Sequence, residues 1–367
     1  MTGKLEPYRP ADAEDVARLH RQIYHGTTDA PPARLVAYYR RIFFENPWYD
    51  ETLPSMVFRT PDGTVCGFMG LIPRPWLFDG RAIKSVVGHR LMVPDWVPNA
   101  PLVAARLVRA CLKAPHDFLI NDASSDAGKR AVLAMGGVSV PQYSLRWVFP
   151  LKPLGYWREK AAQRPKLRAL AVAGRPFAAL ADTVAARRTR VASSDHSVTH
   201  TALSNADLFA CIELATRTMR LRPAHTIESL RWMLAEMRAD PWRPSLDGFS
   251  IRRDGRLIAS CLFHTCPRGG IELDVIAGES PAADRQLLIG AIDVARKKGA
   301  THLFGRFEPR LAEPIWDLGC RLTPTPDCWT VAYARDAEIT QQLEAGRVFL
   351  SNLDAELWLG VPHEYRE

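Results

Sequence analysis

The sequence lacks the patterns that would place the chain in a membrane or in an oxidising compartment. No uninterrupted apolar run reaches the roughly 18 residues of a membrane-spanning helix, and the first residues contain no apolar signal-peptide core. The seven cysteines are an odd number without a Cys-x-x-Cys pair, and 367 residues can build a core without disulfides. We therefore expect a cytoplasmic protein with no transmembrane segment.

Short motifs of several large enzyme classes are also missing. The chain contains no Gly-x-Ser-x-Gly nucleophile elbow and no glycine-rich dinucleotide fingerprint. Gly128-Lys129 is not a Walker A loop, because Arg130 follows and the upstream glycine is absent. Cys261, His264 and Cys266 resemble a fragment of a metal site, but no fourth ligand lies nearby in sequence and strand alternation explains them equally well. We expect no metal.

The charge is unevenly distributed. The net charge is +8, and residues 158–190 hold nine Lys/Arg residues against two acids. A nucleic-acid-binding face usually interleaves aromatic side chains with basic ones, and this stretch contains only Phe177. We therefore expect a solvated linker helix and no DNA binding. Contact of this linker with a membrane surface or with RNA is the alternative, and it is not favoured.

The strongest pattern is an internal repeat. Each half of the sequence opens with two predicted amphipathic helices, a Pro-Trp pair, and two predicted strands around an Asp-Gly turn. These markers are Pro47-Trp48 and Asp62-Gly63 in the first half, and Pro241-Trp242 and Asp254-Gly255 in the second. Their shared order indicates duplication of one structural unit.

Each half also ends in a predicted strand that carries a tryptophan. Trp147 and Trp329 both stand ten residues after a glycine that ends a predicted helix. Between the halves, residues 176–188 are predicted to be helical. After the second half, residues 349–361 have the apolar spacing of a strand.

The element order of each half, β-α-α-β-β-β-α-β-α-β-β, resembles the acyl-CoA N-acyltransferase (GNAT) superfamily. The resemblance covers nearly the whole chain, once per half. Four stretches of the first half carry it, namely the opening strand at residues 8–12, the second helix at 39–48, the hairpin at 62–68 and the fourth strand at 90–94.

This resemblance implies an α/β (mixed α+β) fold of two tandem GNAT-like units, each a mixed, mostly antiparallel sheet flanked by helices. The implied domains are an N-terminal GNAT-like domain with the acyl-CoA site at 1–152, a basic linker at 153–198, and a degenerate C-terminal GNAT-like domain with its tail at 199–367. The implied substrate is acetyl-CoA or another acyl-CoA.

In GNAT proteins the loop after the fourth strand reads Gln/Arg-x-x-Gly-x-Gly/Ala and offers backbone N–H groups to the pyrophosphate of CoA. The matching stretch begins at Asn99, and only Ala104 fits the pattern. Asn121 and Ser124, after the fifth predicted strand, would either contact the pantetheine arm or cap the next helix. The resemblance assigns the donor contacts to Met92, Val93, Asn99, Leu102, Val103, Ala104, Asn121 and Ser124.

Three side chains are candidates for the chemistry. His89 stands on the fourth predicted strand, where an imidazole suits a general base near neutral pH, although a half-buried, hydrogen-bonded structural histidine is the commoner case. Strict alternation would place His89, Leu91 and Val93 on one face and Arg90 and Met92 on the other. In the second half, Glu272 and Asp274 share a strand face and would bind a substrate amine or border solvent.

The sequence therefore favours an acyl-CoA-dependent N-acyltransferase, most simply an acetyltransferase, acting on a small-molecule amine. A non-catalytic ligand- or partner-binding descendant is the first alternative. The incomplete glycine loop favours it, as does Leu133 at the position where many GNAT enzymes have a tyrosine acid. A Fem-type aminoacyl transferase, whose basic linker would contact RNA, is the second.

Overall fold

The computed structural model describes residues 3–162, 197–240, 243, 245–267, 269–325 and 328–359. The helix predicted at 176–188 and most of the basic stretch lie outside these residues. Among the described residues, no helix combines the length and apolar character needed to cross a bilayer.

The first half contains nine strands and five helices within its described residues. In chain order they are β1 (Lys4–Pro7), α1 (Ala13–His25), α2 (Ala33–Phe44), β2 (Met56–Arg59), β3 (Val65–Pro73), β4 (Trp76–Phe78), β5 (Arg81–Ile83), β6 (Ser85–Met92), α3 (Ala100–Lys113), β7 (Phe118–Ser124), α4 (Asp126–Ala134), β8 (Val138–Ser139), β9 (Leu145–Pro150) and α5 (Pro153–Ala162).

The second half follows a similar order. Its described elements are β10 (Val198–Ala202), α6 (Asn205–Thr216), β11 (Leu221–Pro223), α7 (Ile227–Ala239), β12 (Leu246–Arg253), β13 (Arg256–Thr265), β14 (Gly270–Gly278), α8 (Pro281–Lys297), β15 (His302–Arg306), α9 (Ala312–Asp317), β16 (Arg321–Pro324), β17 (Trp329–Ala334) and α10 (Ala337–Glu344).

Local sequence accounts for several of these boundaries. Helix α1 buries Val16 and Leu19 on one face and ends at Gly26, whose φ of 64° is the left-handed conformation that glycine adopts without strain. The Asp254-Gly255 turn between β12 and β13 has positive φ at both residues. This is the geometry of a two-residue hairpin turn, and it fixes the register of the strands on either side.

Two seven-stranded sheets form the framework. Their strand orders are β1-β2-β3-β6-β7-β17-β8 and β10-β12-β13-β14-β15-β9-β16. In each sheet only the fourth and fifth strands are parallel, as β6 with β7 and β14 with β15, and the other pairs are antiparallel. The predicted fold class, two units with mixed, mostly antiparallel sheets flanked by helices, is confirmed.

The two sheets exchange one strand each. Strand β9 of the first half pairs with β15 and β16, and places Trp147 in the core of the second unit. Strand β17 of the second half pairs with β7 and β8 of the first sheet, where Val331 is fully buried. Each sheet is therefore completed by the other half of the chain. The predicted limits at residues 152 and 199 do not include this exchange.

The largest hydrophobic cluster joins the two units. It contains buried side chains of α1 and α2 together with those of α6, α7 and the C-terminal tail. Trp232 stands edge-on between Trp48 and Trp358, with ring centroids 5.7 and 5.6 Å away. Arg41 of α2 donates to Glu236 of α7 at 2.8 Å. The helical faces of the two halves thus share one core.

The tail after α10 is not a strand over its described part, so that prediction is wrong. Residues 348–356 form bends and turns, and Leu357–Leu359 is a short 3-10 helix. Side chains bind the tail backbone at several points. Glu308 accepts from Leu350 N at 3.2 Å, and Asp122 accepts from Glu356 N at 2.7 Å. These side chains accept hydrogen bonds from backbone N–H groups of the tail, which in a strand would bond to a neighbouring strand.

Candidate active site

The candidate site lies where two parallel strands separate. Strands β6 and β7 pair only from Ser85 to Val87 and from Phe118 to Ile120, although they continue to Met92 and Ser124. The second sheet behaves similarly, because β14 pairs with β15 only as far as Leu273. The separation of β6 from β7 opens a cleft beside the first sheet.

A cavity of about 140 Å³ occupies the first cleft. Its walls are mainly apolar side chains of α3, α4 and the neighbouring strands, including Val108, Cys111 and Val132. The polar residues that line it are Tyr24, Arg90, Asn121, Ser124, Ser125 and Glu356. Of the eight predicted donor contacts, Asn121 and Ser124 line this cavity.

A β-bulge shapes the strand beside the cavity. Phe68 pairs with Met92 and Gly70 with His89, so Arg90 and Leu91 together stand opposite one residue of β3. Arg90 has φ of 61°, the left-handed conformation that a bulge of this kind accommodates. A bulge leaves backbone groups outside the strand ladder, where they can meet a ligand.

The bulge also overturns the strict alternation expected for β6. His89 and Met92 share the face that packs against α1 and α2, where Phe43 lies 5.9 Å from the His89 ring. Leu91 and Val93 pack on the opposite face, against the α3 side. The extra residue at the bulge reverses the facing of every side chain that follows it.

His89 is the centre of a buried hydrogen-bond network. Its Nδ1 lies 2.7 Å from Glu356 Oε1, and its Nε2 lies 3.1 Å from the Tyr38 hydroxyl. Asn121 Nδ2 donates at 2.6 Å both to Glu356 Oε2 and to the carbonyl of Gly88. The His89 ring is fully buried. A carboxylate therefore orients the imidazole, and a hydroxyl occupies its other nitrogen.

Burial and charge set the protonation of this network in opposite directions. Burial lowers the pKa of His89 below its ordinary 6.5, and Glu356 only partly offsets it. Burial alone would raise the pKa of Glu356, but His89, Arg90 and Asn121 outweigh it and hold that pKa below its ordinary value. Near pH 7 the imidazole is therefore neutral and the carboxylate is ionised.

The tail is fixed at this point by a second buried charge pair. Asp122 accepts a hydrogen bond from the Glu356 backbone and forms an ion pair with Arg306 of β15. Both Asp122 and Arg306 are buried. Because Arg306 belongs to the second sheet, the position of Glu356 in the first cleft depends on both units.

A related histidine–carboxylate pair lies in the second unit. His264 Nδ1 donates to the Asp274 carboxylate at 2.7 Å, and Glu272 Oε2 lies 3.8 Å from His264 Nε2. Asn352 of the tail donates to both carboxylates at 3.2 Å. Burial would lower the pKa of His264, but Asp274 raises it to about 11. Glu272 and Asp274 thus face a histidine on the neighbouring strand.

The remaining predicted donor residues surround the start of α3. Met92 is buried in the main core and Val93 packs against the α3 side. Leu102 is 61% exposed, and Val103 is buried. Asn99 has φ of 58° and its side chain does not cap the helix. Ala104, one turn further, is half-buried. The structure does not place these six residues on the cavity described above.

The backbone donors at the start of α3 are already used. Ala100 N donates to Val97 O at 3.0 Å, and the N–H groups of Leu102 and Val103 donate to Asn99 O at 2.8 and 3.1 Å. Pro101 has no N–H group. In the second unit, the start of α8 holds its own carboxylate: Asp284 accepts from Gly278 N and Arg310, each at 2.9 Å.

Sequence reasoning missed Glu356 and Asn352, and it did not connect Tyr38 with His89 or His264 with Asp274. Glu356 and Asn352 lie in the tail, far in sequence from the strands that they contact, and no spacing rule links them to His89 or Asp274. The one available signal was polar residues within an otherwise apolar tail, since such residues are seldom buried without a partner. The Tyr38–His89 contact joins a helix to a strand 51 residues later.

No family model and no curated protein matches the chain. Solved structures do share its fold. The GCN5-related N-acetyltransferase from Anabaena variabilis ATCC 29413 is 9% identical with a TM-score of 0.58, and the alignment covers 92% of this chain and 74% of that one. A probable N-acyltransferase of unknown function from Enterococcus faecalis V583 is 10% identical with a TM-score of 0.55, covering 94% and 74%.

The likeness extends to a structure with a ligand. Saccharomyces cerevisiae N-myristoyltransferase, solved with bound myristoyl-CoA, is 13% identical with a TM-score of 0.53, covering 90% of this chain and 78% of that one. At such identities the likeness concerns the fold alone. The predicted GNAT fold is thereby confirmed.

Proposed function

We propose that the protein is an acyl-CoA-dependent N-acyltransferase whose donor site is the cleft between β6 and β7. The observation that carries the proposal is the juxtaposition, where β6 and β7 separate, of a mainly apolar cavity, a β-bulge and a histidine whose carboxylate partner, Glu356, lines that cavity. The fold neighbours include proteins named as N-acetyltransferases and N-myristoyltransferase.

The cavity supports a short acyl group. An apolar cavity of about 150 Å³ is large enough for a benzene molecule, and this one is about 140 Å³. We therefore propose acetyl-CoA as the donor rather than a long-chain acyl-CoA. Asn121 and Ser124 line the cavity and would contact the pantetheine arm.

Three steps of the transfer can be assigned to this chain. Backbone N–H groups at the bulge of Arg90 and Leu91 would polarise the thioester carbonyl as the amine attacks it. The neutral imidazole of His89 would take the proton of the attacking amine through the Tyr38 hydroxyl, which lies 3.1 Å from its Nε2. Glu356 would then stabilise the imidazolium, as a carboxylate does in other oriented histidine pairs. The CoA thiolate leaves as the tetrahedral intermediate collapses.

The acceptor we propose is a small amine that approaches from the α1–α2 side. Tyr38 is half-buried there, next to His89. The second unit would shape this side of the site, because its Arg306 and the tail fix Glu356. The carboxylate of Asp284 at the start of α8 supports the proposal that the second unit does not bind CoA.

A ligand-binding role without transfer is the second candidate, and one observation favours it. The backbone N–H groups at the start of α3 donate within their own helix turn, so they do not present a free cradle for a pyrophosphate. Under this alternative the cavity would hold a small apolar ligand and CoA would not bind.

Acetyl-CoA is expected to stabilise the protein, which distinguishes the two candidates. At about 100 times Kd a ligand adds about 2.7 kcal/mol to the free energy of unfolding, which is several degrees in melting temperature. Val132→Phe, which places a ring in the cavity wall, should abolish the shift, and Val294→Phe on α8 should retain it. Thermal melts with acetyl-CoA, CoA and myristoyl-CoA provide the measurement. No shift with any of them at millimolar concentration favours the non-catalytic candidate.

The pH profile of turnover is expected to report His89. Since burial holds the pKa of His89 below 6.5, the base form persists down to that pH and the acidic limb of kcat/KM should lie below it. Glu356 raises the pKa of His89, so Glu356→Gln should move the limb to still lower pH. Rates measured from pH 5 to pH 9 with saturating acceptor test this. An acidic limb above pH 6.5 would contradict the assignment.

A further inference from the structure

A second cluster of chemically active side chains lies apart from the cavity, at the end of the β13–β14 hairpin. His264 on β13 pairs in register with Glu272 on β14, and Cys266 follows β13 directly. His264 Nε2 lies 3.7 Å from Cys266 Sγ and 3.8 Å from Glu272 Oε2. The three potential ligand atoms all lie within 4.8 Å of one another.

The hairpin backbone holds this arrangement in place. Cys266 N donates to Gly270 O at 2.8 Å, and Gly269 N donates to Cys266 O at 3.0 Å. These bonds return the chain so that Cys266 stands beside the strand carrying Glu272. The sequence shows His264 and Cys266 close together, whereas the strand register supplies the carboxylate as the third member of the set.

The surrounding side chains orient the histidine and the carboxylate. Asp274 engages His264 Nδ1 at 2.7 Å, so the other ring nitrogen, Nε2, faces Cys266 and Glu272. Asn352 Nδ2 donates to Glu272 Oε1 at 3.2 Å and leaves Oε2 on the side of His264. A carboxylate behind a histidine and a hydrogen bond to a ligating carboxylate are the supports that metal ligands usually have.

We propose that His264, Cys266 and Glu272 bind a zinc ion. Bonds of about 2.0–2.3 Å to nitrogen, oxygen and sulfur in a tetrahedron place the ligand atoms roughly 3.3–3.7 Å apart, which is close to the separations of 3.7 and 3.8 Å here. A thiolate combined with an imidazole excludes magnesium and calcium, which prefer oxygen ligands alone. The remaining pair, Cys266 Sγ and the Glu272 carboxylate, lies within 4.8 Å, and binding of the ion releases the Nε2 proton and the thiol proton to solvent.

Three protein ligands leave the fourth position of the zinc for water or a substrate atom, as in zinc sites that take part in reactions. Cys266 and Glu272 are both partly exposed, so the ion can enter from solvent. Cys261, which the sequence places near this motif, is fully buried on β13 with its pKa raised by burial. It is therefore not a ligand. The proposal does not depend on the acyltransferase function.

Cobalt substitution of the full-length protein tests the site without any activity measurement. After removal of metals with a chelator, Co²⁺ should bind at one equivalent and give a near-ultraviolet thiolate-to-cobalt charge-transfer absorption. Intense visible bands of tetrahedral cobalt should accompany it, and Zn²⁺ should displace both. Cys266→Ser should remove the charge-transfer absorption. Asp274→Asn, which alters the support of His264 and the contact with Asn352 but keeps all three ligands, should weaken the affinity by about 10- to 100-fold.

Cys320→Ser is the matched control, because Cys320 is also partly buried but lies outside the cluster. The cobalt spectrum of this variant should equal that of the unchanged protein. Zn²⁺ should raise the melting temperature of the unchanged and Cys320→Ser proteins but not of Cys266→Ser. That melt also shows whether Cys266→Ser is folded, and Cys266→Ala provides a second variant. The proposal is overturned if the unchanged protein shows no charge-transfer absorption, or if that absorption persists in both Cys266 variants. The cluster would then be only an ion pair between His264 and its neighbouring carboxylates.

Discussion

His89→Ala is expected to lower kcat by about 10²- to 10⁴-fold while the affinity for the acyl donor changes little. Assistance by a general base is worth that much in rate, and His89 is not among the residues that line the cavity, although its partner Glu356 is. Glu356→Gln should give a smaller loss, because it keeps the shape of the side chain but removes the charge that stabilises the imidazolium. Steady-state kinetics with acetyl-CoA, together with donor binding by calorimetry, measure both effects.

His116→Gln is the matched control for burial. His116 is also a fully buried histidine, but it bonds to the carbonyl of Cys111 and has no contact with Glu356 or Tyr38. Its replacement should cost stability without a comparable loss of turnover. If His89→Ala keeps its turnover and loses several kcal/mol of folding free energy, His89 is a structural histidine whose partners have been left unpaired.

Trp147→Ala is expected to lower the free energy of unfolding by about 3–5 kcal/mol. The loss should affect the second unit, although Trp147 belongs to the first half of the sequence. The side chain is fully buried in the core of the second unit, against β15. Removing a large aromatic ring from a packed core costs its transfer free energy and leaves a cavity. Denaturant unfolding measures the loss.

Amide hydrogen exchange shows which strands are destabilised, and it tests whether β9 and β17 complete each other's sheets. Trp147→Ala should raise the exchange of β15 and β16 more than that of β7. Val331→Ala on β17 is the reciprocal control, with a smaller loss of stability and faster exchange of β7 and β8. The opposite pattern, with Trp147→Ala loosening β7, would mean that each closing strand pairs within its own half.

The sequence predicted much of the framework because the relevant signals are local. Amphipathic spacing marked α1 and α2, and the Asp-Gly turns marked the hairpins of both halves, so the order of elements and the fold class followed from short windows of sequence. The same reasoning failed at β6. Alternation assumes one residue per step, and the bulge at Arg90 and Leu91 adds a residue that only the pairing with β3 reveals.

The candidate site was predictable only in part for the same reason. His89, Asn121 and Ser124 follow from their places on strands of a recognisable unit. Glu356 and Asn352 reach their partners through the tail, which carries no periodic pattern because side chains rather than a neighbouring strand hold its backbone. Predicting it as a strand was wrong since apolar spacing alone does not show what the segment packs against.

The sequence by itself determined the two similar units, their helices and hairpins, and the strand on which the candidate base lies, because local backbone preference and hydrophobic spacing specify these features. Only the tertiary structure decided which half each closing strand completes, since β9 and β17 have equivalent patterns and both sheets offer the same edge. It also decided that carboxylates from the tail and from a neighbouring strand stand beside His89 and His264. Such contacts join residues 267 positions apart in the first case. Burying these charges costs desolvation free energy, and their partners offset that cost only once both units are packed together.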